Sequence, residues 1–311
     1  MSHATPRESI VAGHVALAVS QVAFGLFPIF GTIVFRPGGI SPLGVGAWRV
    51  IGGSVVLGAL ALARHGRRAV PAREDVPRLV ACAMLGVAVN QGLFLLGLAR
   101  STPVNAALVM ALIPVFTFGV AAAVRQEPFS VLRALGIAVA LGGLLPLVFA
   151  DGFRSLGAFG FGNLLMVANA FSYSCYLVLT KPLTRRYPVL VIIAWSYVFS
   201  LIALPVFLPG QRLVPGPHAA AAWWGIAYIV AFPTILAYLL NVFALARLRA
   251  STTAVYVYAQ PLITAVAAWF VFGERPTVAM LLAAAALFVG IWLVARRPSA
   301  PDVIAGEPLA T

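Results

Sequence analysis

Residues 98–127 are LARSTPVNAALVMALIPVFTFGVAAAVRQE, and residues 245–274 are LARLRASTTAVYVYAQPLITAVAAWFVFGE. Laid over each other without a gap, the two stretches share an opening Leu-Ala-Arg, a proline in the middle and a closing glutamate. The prolines are Pro114 and Pro261, and the glutamates are Glu127 and Glu274. Because one offset of 147 residues relates all of these matches, we interpret the stretches as copies of one unit.

The same offset extends over most of the chain. It aligns further residues as follows: Gly13 with Gly160, Ala23-Phe24 with Ala170-Phe171, Trp48 with Trp195 and Gly143 with Gly290. We therefore predict a first unit at residues 13–150, a second at 157–297 and a disordered cytoplasmic tail at 298–311. The alternative, in which duplication only produced a stable bundle, stays open.

The composition is typical of an integral membrane protein. Hydrophobic residues make up 62% of the chain and charged residues 9%, whereas a soluble domain has about 25% charged residues. The apolar runs do not alternate with polar residues, which favours membrane helices over a β-barrel. An all-α protein with ten transmembrane helices is predicted, with spans at His14–Val34, Pro42–Ala63, Arg78–Leu98, Pro103–Val124, Val131–Ala150, Gly157–Leu179, Val189–Leu208, Ala222–Phe243, Ser251–Phe272 and Thr277–Ala295.

Several classes of function are excluded by the same composition. The net charge of +13 comes from basic residues scattered between apolar runs, so no basic face for nucleic acid is expected. Cys82 and Cys175 both lie in apolar runs, which argues against a disulfide framework or metal-ligand spacing. We predict no metal site and no cofactor.

The basic residues predict the orientation of the chain, because Lys and Arg accumulate in cytoplasmic loops. With the N-terminus inside, 15 of them fall on the cytoplasmic side and five outside. Both termini are therefore expected in the cytoplasm, and a bacterial inner membrane is the expected location. Since each unit has five spans, the second enters the membrane from the opposite side, as in the inverted repeats of secondary transporters.

Several short motifs together resemble the EamA-type branch of the drug/metabolite transporter superfamily. The matching segments are Ala23-Phe24-Gly25, Trp48-Arg49, Leu98-Ala99-Arg100, Pro114 with Gln126-Glu127-Pro128, and Pro261 with Gly273-Glu274-Arg275. Phe24 stands where Trp is usual in that family, and Gln126 stands where Gly is usual. The resemblance implies ten spans in two repeats and transport of small metabolites, often amino acids.

Pro114 and Pro261 each fall near the middle of a predicted span. Proline lacks the N–H that would bond the carbonyl four residues earlier, here that of Met110 or Val257. Such kinks are tolerated in a bilayer where protein or a water-filled cavity satisfies the backbone. Paired kinks lining a pathway are one interpretation, and simple packing kinks are the other.

Polar and aromatic side chains within the apolar spans are the candidates for a substrate pathway. They are Phe24, Arg49, Asn90, Gln91, Asn169, Tyr173, Tyr238, Asn241, Tyr256 and Gln260. Tyr256 and Gln260 are four residues apart, so one helix face would carry both. Interhelical hydrogen bonding is the alternative role for each, and snorkelling is the alternative for Arg49. Glu127 and Glu274 are interpreted as structural helix starts.

These features predict an alternating-access secondary transporter of small polar organic metabolites, amino acids among them, with export favoured. The expected partners are a small-molecule substrate and the lipid bilayer, without nucleic acid, and the expected state is a monomer or weak dimer. A passive channel or facilitator and a membrane-embedded enzyme remain as alternatives. No acidic residue or histidine is placed mid-span, which predicts flux without obligate proton antiport.

Overall fold

The structure is a computed structural model. It describes residues 6–127, 131–132, 134–136, 138–139, 142, 158–273, 278, 281–282, 285–286 and 289. The predicted fifth and tenth spans lie largely outside these residues, as do Glu274 and the tail at 298–311. Every element within the described ranges is helical.

Eight helices in the described part of the chain are long and apolar enough to cross a membrane. They are α1 (Ser9–Val34), α2 (Pro42–Ala69), α3 (Arg73–Leu98), α4 (Pro103–Ala123), α5 (Phe161–Leu183), α6 (Val189–Phe207), α7 (Ala221–Arg247) and α8 (Ala250–Phe272). They correspond to eight of the ten spans predicted from the sequence.

Local sequence sets several of the helix boundaries. Pro42 and Pro103 begin α2 and α4, where a missing N–H removes no helical hydrogen bond. The Thr102 side chain caps α4 by accepting a hydrogen bond from Asn105 N at 3.1 Å. Gly273 ends α8 in the left-handed region at φ 72°, which glycine adopts without a steric penalty.

Helices of the first unit pack reciprocally against helices of the second. α1 packs on α7 and α8, and α5 packs on α3 and α4, while α2 packs on α6. The 147-residue offset relates α1 to α5, α3 to α7 and α4 to α8, so each of these contacts has its counterpart. This arrangement is typical of two repeats related by a pseudo-two-fold axis.

The α2–α6 contact depends on small residues. A Cβ atom added at Gly53 would lie 2.4 Å from Cδ1 of Tyr197, closer than side chains tolerate. Tyr197 is fully buried. Glycine at this position therefore lets α2 approach the aromatic ring closely.

Both copies of the third span are interrupted at equivalent positions. α3 contains a π-helical segment at Met84–Ala88 and α7 contains one at Val230–Leu236. Pro233 lies in the second segment, and Thr234 Oγ1 donates to Ile229 O there at 2.6 Å. π-helical segments inside α-helices are frequent at functional sites.

Both copies of the fourth span are interrupted immediately before their proline. In α4 the helix Pro103–Met110 ends and a new helix begins at Ile113. In α8 a 3-10 segment at Tyr256–Ala259 precedes the helix Gln260–Phe272. The prediction that Pro261 leaves the Val257 carbonyl unpaired is wrong. Because the segment forms a tighter 3-10 turn, Gln260 N donates a hydrogen bond to Val257 O.

Candidate functional site

A cavity with about 580 Å³ of empty space lies where the two units meet. Helices of both units line it, and its wall includes residues next to all four helix interruptions. The lining residues are Phe24, Phe27, Pro28, Arg49, Asn90, Phe94, Ala107, Met110 and Ile113 from the first unit, and Asn169, Tyr173, Tyr238, Asn241, Val257 and Gln260 from the second.

Eight of the ten pathway residues proposed from the sequence line this cavity. They are Phe24, Arg49, Asn90, Asn169, Tyr173, Tyr238, Asn241 and Gln260. Polar groups within a membrane helix avoid lipid by facing protein or a water-filled space, which explains why these residues collect at the cavity.

The other two pathway residues lie elsewhere. Tyr256 hydroxyl is 2.7 Å from His14 Nδ1, and the two rings pack with centroids 5.7 Å apart. Tyr256 begins a 3-10 segment and does not line the cavity, although both Tyr256 and Gln260 contact α1, at His14 and Gln21. Gln91 points toward α6 and donates through Nε2 to the Tyr197 hydroxyl at 3.3 Å.

Three pairs of lining residues are related by the 147-residue offset: Phe94 with Asn241, Met110 with Val257, and Ile113 with Gln260. Equivalent positions of both units therefore contribute to the cavity wall. At two of these pairs the first unit contributes an apolar residue and the second a polar amide. The backbone is duplicated, but the chemistry of the two walls is different.

Asn90 and Asn169 join the two units beside the cavity. Asn169 Nδ2 donates to the Asn90 carbonyl at 2.6 Å, and Asn90 Nδ2 donates to the Asn169 carbonyl at 3.4 Å. Both side chains are buried. This reciprocal pair fixes α3 against α5 immediately after the π-helical segment of α3.

The π-helical segment of α3 also depends on the second unit. The Tyr238 hydroxyl donates to Gly86 O at 2.6 Å, and Ser172 Oγ donates to Leu85 O at 2.7 Å. Backbone carbonyls displaced from regular helix geometry need such partners in an apolar medium. The interruption is thus stabilised by contacts across the repeat interface.

Arg49 is the charged residue of the cavity wall, and it is only 2% exposed. Its Nε donates to Thr234 Oγ1 at 2.8 Å, which links α2 to the π-helical segment of α7. Its guanidinium lies over the Phe27 ring, 4.4 Å from the centroid. The offset places Ser196 at the equivalent position, so this charge is present in one unit only.

Four buried tyrosines form a cluster at the cavity: Tyr173 and Tyr238, which line it, and Tyr176 and Tyr197, which pack behind them. The rings of Tyr173, Tyr176 and Tyr197 lie 6.4, 6.2 and 5.5 Å from that of Tyr238. Tyr176 and Tyr197 were not among the sequence candidates. The feature of the sequence that could have indicated them is that all eight tyrosines lie in the second half of the chain.

Glu127 is buried and binds the start of α8. Its Oε1 accepts from Ser251 N at 3.1 Å, and its Oε2 accepts a very short hydrogen bond from Ser251 Oγ. Lys181 lies nearby on α5 and donates to the carbonyls of Leu245 and Leu248, both at 2.5 Å. Glu127 thus caps a helix of the other unit.

Acidic and metal-ligating side chains are scarce around the cavity. None of the described lining residues is Asp, Glu or His. Within the residues that the structure describes, no group of three His, Cys, Asp or Glu side chains could hold a metal ion. The site therefore offers binding through one cation, amides, hydroxyls and aromatic rings.

Multiple apolar spans around a polar-aromatic cavity between two repeats define a multi-pass membrane protein of the transporter class. A sequence profile of the EamA-like transporter family matches residues 11–149 and 160–296. The chain belongs to the EamA-like transporter family, which bears out the resemblance found in its motifs.

Individual relatives are more distant. The chain is 25% identical over 244 residues to the uncharacterized transporter YdfC of Bacillus subtilis, covering 78% of each chain. It is 28% identical over 231 residues to a probable terminal-alkyne amino-acid exporter of Streptantibioticus cattleyicolor, covering 73% of this chain and 75% of that one. A solved crystal structure has the same fold, with a TM-score of 0.73 at 18% identity, over 93% of this chain and 96% of that chain.

Proposed function

We propose that this protein is an alternating-access secondary transporter that moves small polar organic molecules, amino acids among them, through the cavity between its repeats. The observation that carries the proposal is the position of the cavity. It lies between the two units, beside helix interruptions that recur at equivalent positions in both units. Discontinuous helices at corresponding positions of two repeats are typical of transporter binding sites.

The proposed topology has ten spans in two inverted repeats at 13–150 and 157–297, with both termini in the cytoplasm of the cell. Cysteine labelling tests it on a background with Cys82→Ala and Cys175→Ala. Arg36→Cys should react with an impermeant reagent in intact cells, and Arg68→Cys only after permeabilisation. Reaction of Arg68→Cys from outside would contradict the inverted arrangement.

Export is the proposed direction. One relative is named as a probable amino-acid exporter, and the cavity contributes the amide and hydroxyl groups that bind polar metabolites. We propose that the protein works as a monomer or weak dimer and without a cofactor. A membrane enzyme is a weaker proposal, because the described cavity wall offers no carboxylate or imidazole for acid–base catalysis.

Counterflow in proteoliposomes separates a carrier from a passive channel. Vesicles holding the purified protein are loaded with an unlabelled amino acid, and uptake of the same labelled amino acid is followed. A carrier should show stimulated uptake from the loaded side. Equal uptake into empty and loaded vesicles would favour the channel.

Cysteine accessibility provides a second test, independent of the choice of substrate. Val257→Cys and Met110→Cys occupy equivalent positions of the cavity, so alternating access predicts that impermeant reagents reach both from either side of the membrane. Phe270→Cys is the matched control, because Phe270 is 77% exposed on the outside of the bundle and should face lipid. Labelling of the cavity positions from one side only would contradict alternating access.

The absence of a mid-span carboxylate in the sequence supports flux along the substrate gradient. An imposed pH gradient should then leave the final substrate distribution across the vesicle membrane unchanged. Uphill accumulation driven by that gradient alone would contradict this part of the proposal.

A further inference from the structure

We propose that Arg49 binds the carboxylate of the substrate while Asn241 and Tyr173 accept a hydrogen bond from the same molecule. The substrate class is then a small amphipathic carboxylate with a donor group beside the acid and an apolar body. The inference rests on the proposed function, because it assigns the chemistry of the same cavity. It depends on three observations: the charge, the unpartnered acceptors and the apolar wall.

The cavity carries a positive charge without a carboxylate in its described wall. Two buried acids in the described residues, Asp75 and Glu127, are engaged elsewhere, with Arg186 and Tyr187 and with Ser251. A charge within a membrane protein is normally paired or hydrogen-bonded, because burying it alone is unfavourable. An anionic group on the substrate would supply the balancing charge.

Arg49 is oriented for this role by its neighbours. A guanidinium has five N–H donors, and Thr234 uses the one at Nε. The Thr234 hydroxyl is itself fixed, because it donates to Ile229 O at 2.6 Å. Phe27 holds the guanidinium plane from one side. Arg49 lines the cavity, and its guanidinium lies beside the Tyr197 hydroxyl as well. With Nε bound to Thr234, the two terminal nitrogens are the pair that could bond a carboxylate in a fork.

Two buried polar atoms at the cavity lack a hydrogen-bond partner. They are Oδ1 of Asn241, in a residue that is 3% exposed, and the hydroxyl oxygen of Tyr173, in a residue that is 7% exposed. A buried acceptor that is left unpaired destabilises a protein. A donor group on the bound molecule, such as an ammonium, would satisfy one or both.

Apart from Arg49 and Asn90, the first unit's wall is apolar. Phe27, Phe94, Met110 and Ile113 line it, and the ring centroids of Phe27 and Phe94 are stacked 4.9 Å apart. An aliphatic side group packs favourably there. The wall therefore selects a molecule with a polar end and an apolar end.

Three isobutyl compounds separate the contributions, since they differ only in their polar groups. L-leucine has both a carboxylate and an ammonium, 4-methylpentanoate lacks the ammonium, and 3-methylbutylamine lacks the carboxylate. Binding to the purified full-length protein in detergent is measured by calorimetry, and flux is measured separately in proteoliposomes. We expect leucine to bind most tightly and the amine most weakly.

The variants are Arg49→Gln, Arg49→Lys and Asn241→Leu. Arg49→Gln should weaken binding of both carboxylates by about 10- to 100-fold, the range for a hydrogen bond to a charged group. It should not weaken binding of the amine, because the ammonium group is repelled by Arg49. Arg49→Lys keeps the charge but loses the fork, so it should fall between the two. Asn241→Leu should reduce the preference for leucine over 4-methylpentanoate. Arg100→Gln, an exposed arginine outside the cavity, is the matched charge control.

The outcomes distinguish this inference from the transport proposal. Equal loss of all three compounds in Arg49→Gln, wild-type binding of the amine as tight as that of leucine, or no binding of either carboxylate would overturn it. If Arg49→Gln does not fold, the ranking of the three compounds on the wild type and on Arg49→Lys decides. Carboxylate binding that depends on Arg49 without any flux would uphold the inference and contradict transport.

Discussion

At two pairs of equivalent positions, the first repeat presents Phe94 and Ile113 to the cavity where the second presents Asn241 and Gln260. The helices that carry these residues are interrupted at corresponding places in both copies. The comparison indicates that duplication preserved the elements that bend and changed the side chains that bind. Symmetric interruptions suit a protein that exchanges two conformations, whereas asymmetric walls suit a substrate with two different ends.

The largest effect is expected when a residue of one cavity wall is replaced by the residue at the equivalent position of the other wall. Asn241→Phe gives the second wall the residue of the first, fills part of the cavity and removes an amide. We expect flux to fall more than about tenfold, because the loss combines overpacking with a missing polar partner. Substrate flux per folded molecule in proteoliposomes measures it.

Phe94→Asn is the reverse exchange. It enlarges the cavity and leaves the polar wall intact, so flux should persist with weaker binding of apolar substrates. Asn241→Leu removes the amide, keeps the branched shape of the side chain and adds less bulk than phenylalanine, so it helps to separate the loss of the amide from the added bulk. Equal losses in Asn241→Phe and Phe94→Asn would show that the two walls are functionally equivalent.

Much of this arrangement was predictable from sequence. The proline-started spans at Pro42 and Pro103 follow from local chemistry, and the cavity residues follow from the rule that polar groups avoid lipid. The π-helical segment at Met84–Ala88 was not predictable. Its displaced carbonyls are bound by Ser172 and Tyr238, which are distant in sequence and come close only in the folded bundle.

The same limit explains why Tyr256, predicted to line the pathway, does not line the cavity. Spacing by four residues implies a shared face only in an α-helix, and the segment that begins at Tyr256 is 3-10. Pro261 marked that a break was present but not its type. In the folded bundle, the 3-10 segment occurs together with a tertiary contact between Tyr256 and His14, which are distant in sequence.

The next prediction sharpens the difference between Gln260 and its equivalent, Ile113. Gln260 Nε2 donates to Gln21 Oε1 at 2.7 Å, and both residues are buried. Gln260→Leu makes the second copy resemble the first and leaves Gln21 Oε1 without its donor, so the free energy of unfolding should fall by about 1–3 kcal/mol. Thermal unfolding in detergent measures this, alongside flux.

The Gln21→Leu single variant and the Gln21→Leu/Gln260→Leu double variant complete the cycle. The double variant should recover much of the stability, because neither amide is then left unpaired. If it also recovers flux, Gln260 serves packing alone, which would remove it from the binding site. We expect stability to recover and flux to remain low.

A third prediction compares equivalent loops at the two ends of the bundle. At one end, side chains join the loops: Tyr187 hydroxyl donates to Asp75 at 2.5 Å, and Arg186 donates to Asp75 at 2.7 Å. At the other end the backbone joins them, with Ser41 N donating to Arg212 O at 3.1 Å and Gly216 N to Gly38 O at 2.8 Å. The contacts at the first end involve titratable side chains, whereas those named at the other end are backbone hydrogen bonds.

Burial raises the pKa of the Tyr187 phenol above its ordinary value of 10, and its hydrogen bond to Asp75 raises it further. A raised pKa in the folded state means that this contribution to stability is complete below pH 10 and is lost as the pH rises through the folded-state pKa. Tyr187→Phe should therefore lower stability by about 1 kcal/mol at pH 7. The difference from wild type should shrink at strongly alkaline pH, and a constant difference would contradict the assignment.

The smallest effects are expected where the two copies remain alike. Trp48 Nε1 donates to Leu213 O at 2.8 Å, and Trp195 Nε1 donates to Ala69 O at 2.5 Å, so equivalent tryptophans bind equivalent loops of the opposite repeat. Trp48→Phe and Trp195→Phe each remove one such hydrogen bond and should lower stability by about 0.5–1.5 kcal/mol. Because the two sites are far apart in the bundle, the double variant should show the sum of the single effects. Thermal unfolding in detergent checks both expectations. Markedly unequal losses would show that the two equivalent hydrogen bonds contribute unequally to stability.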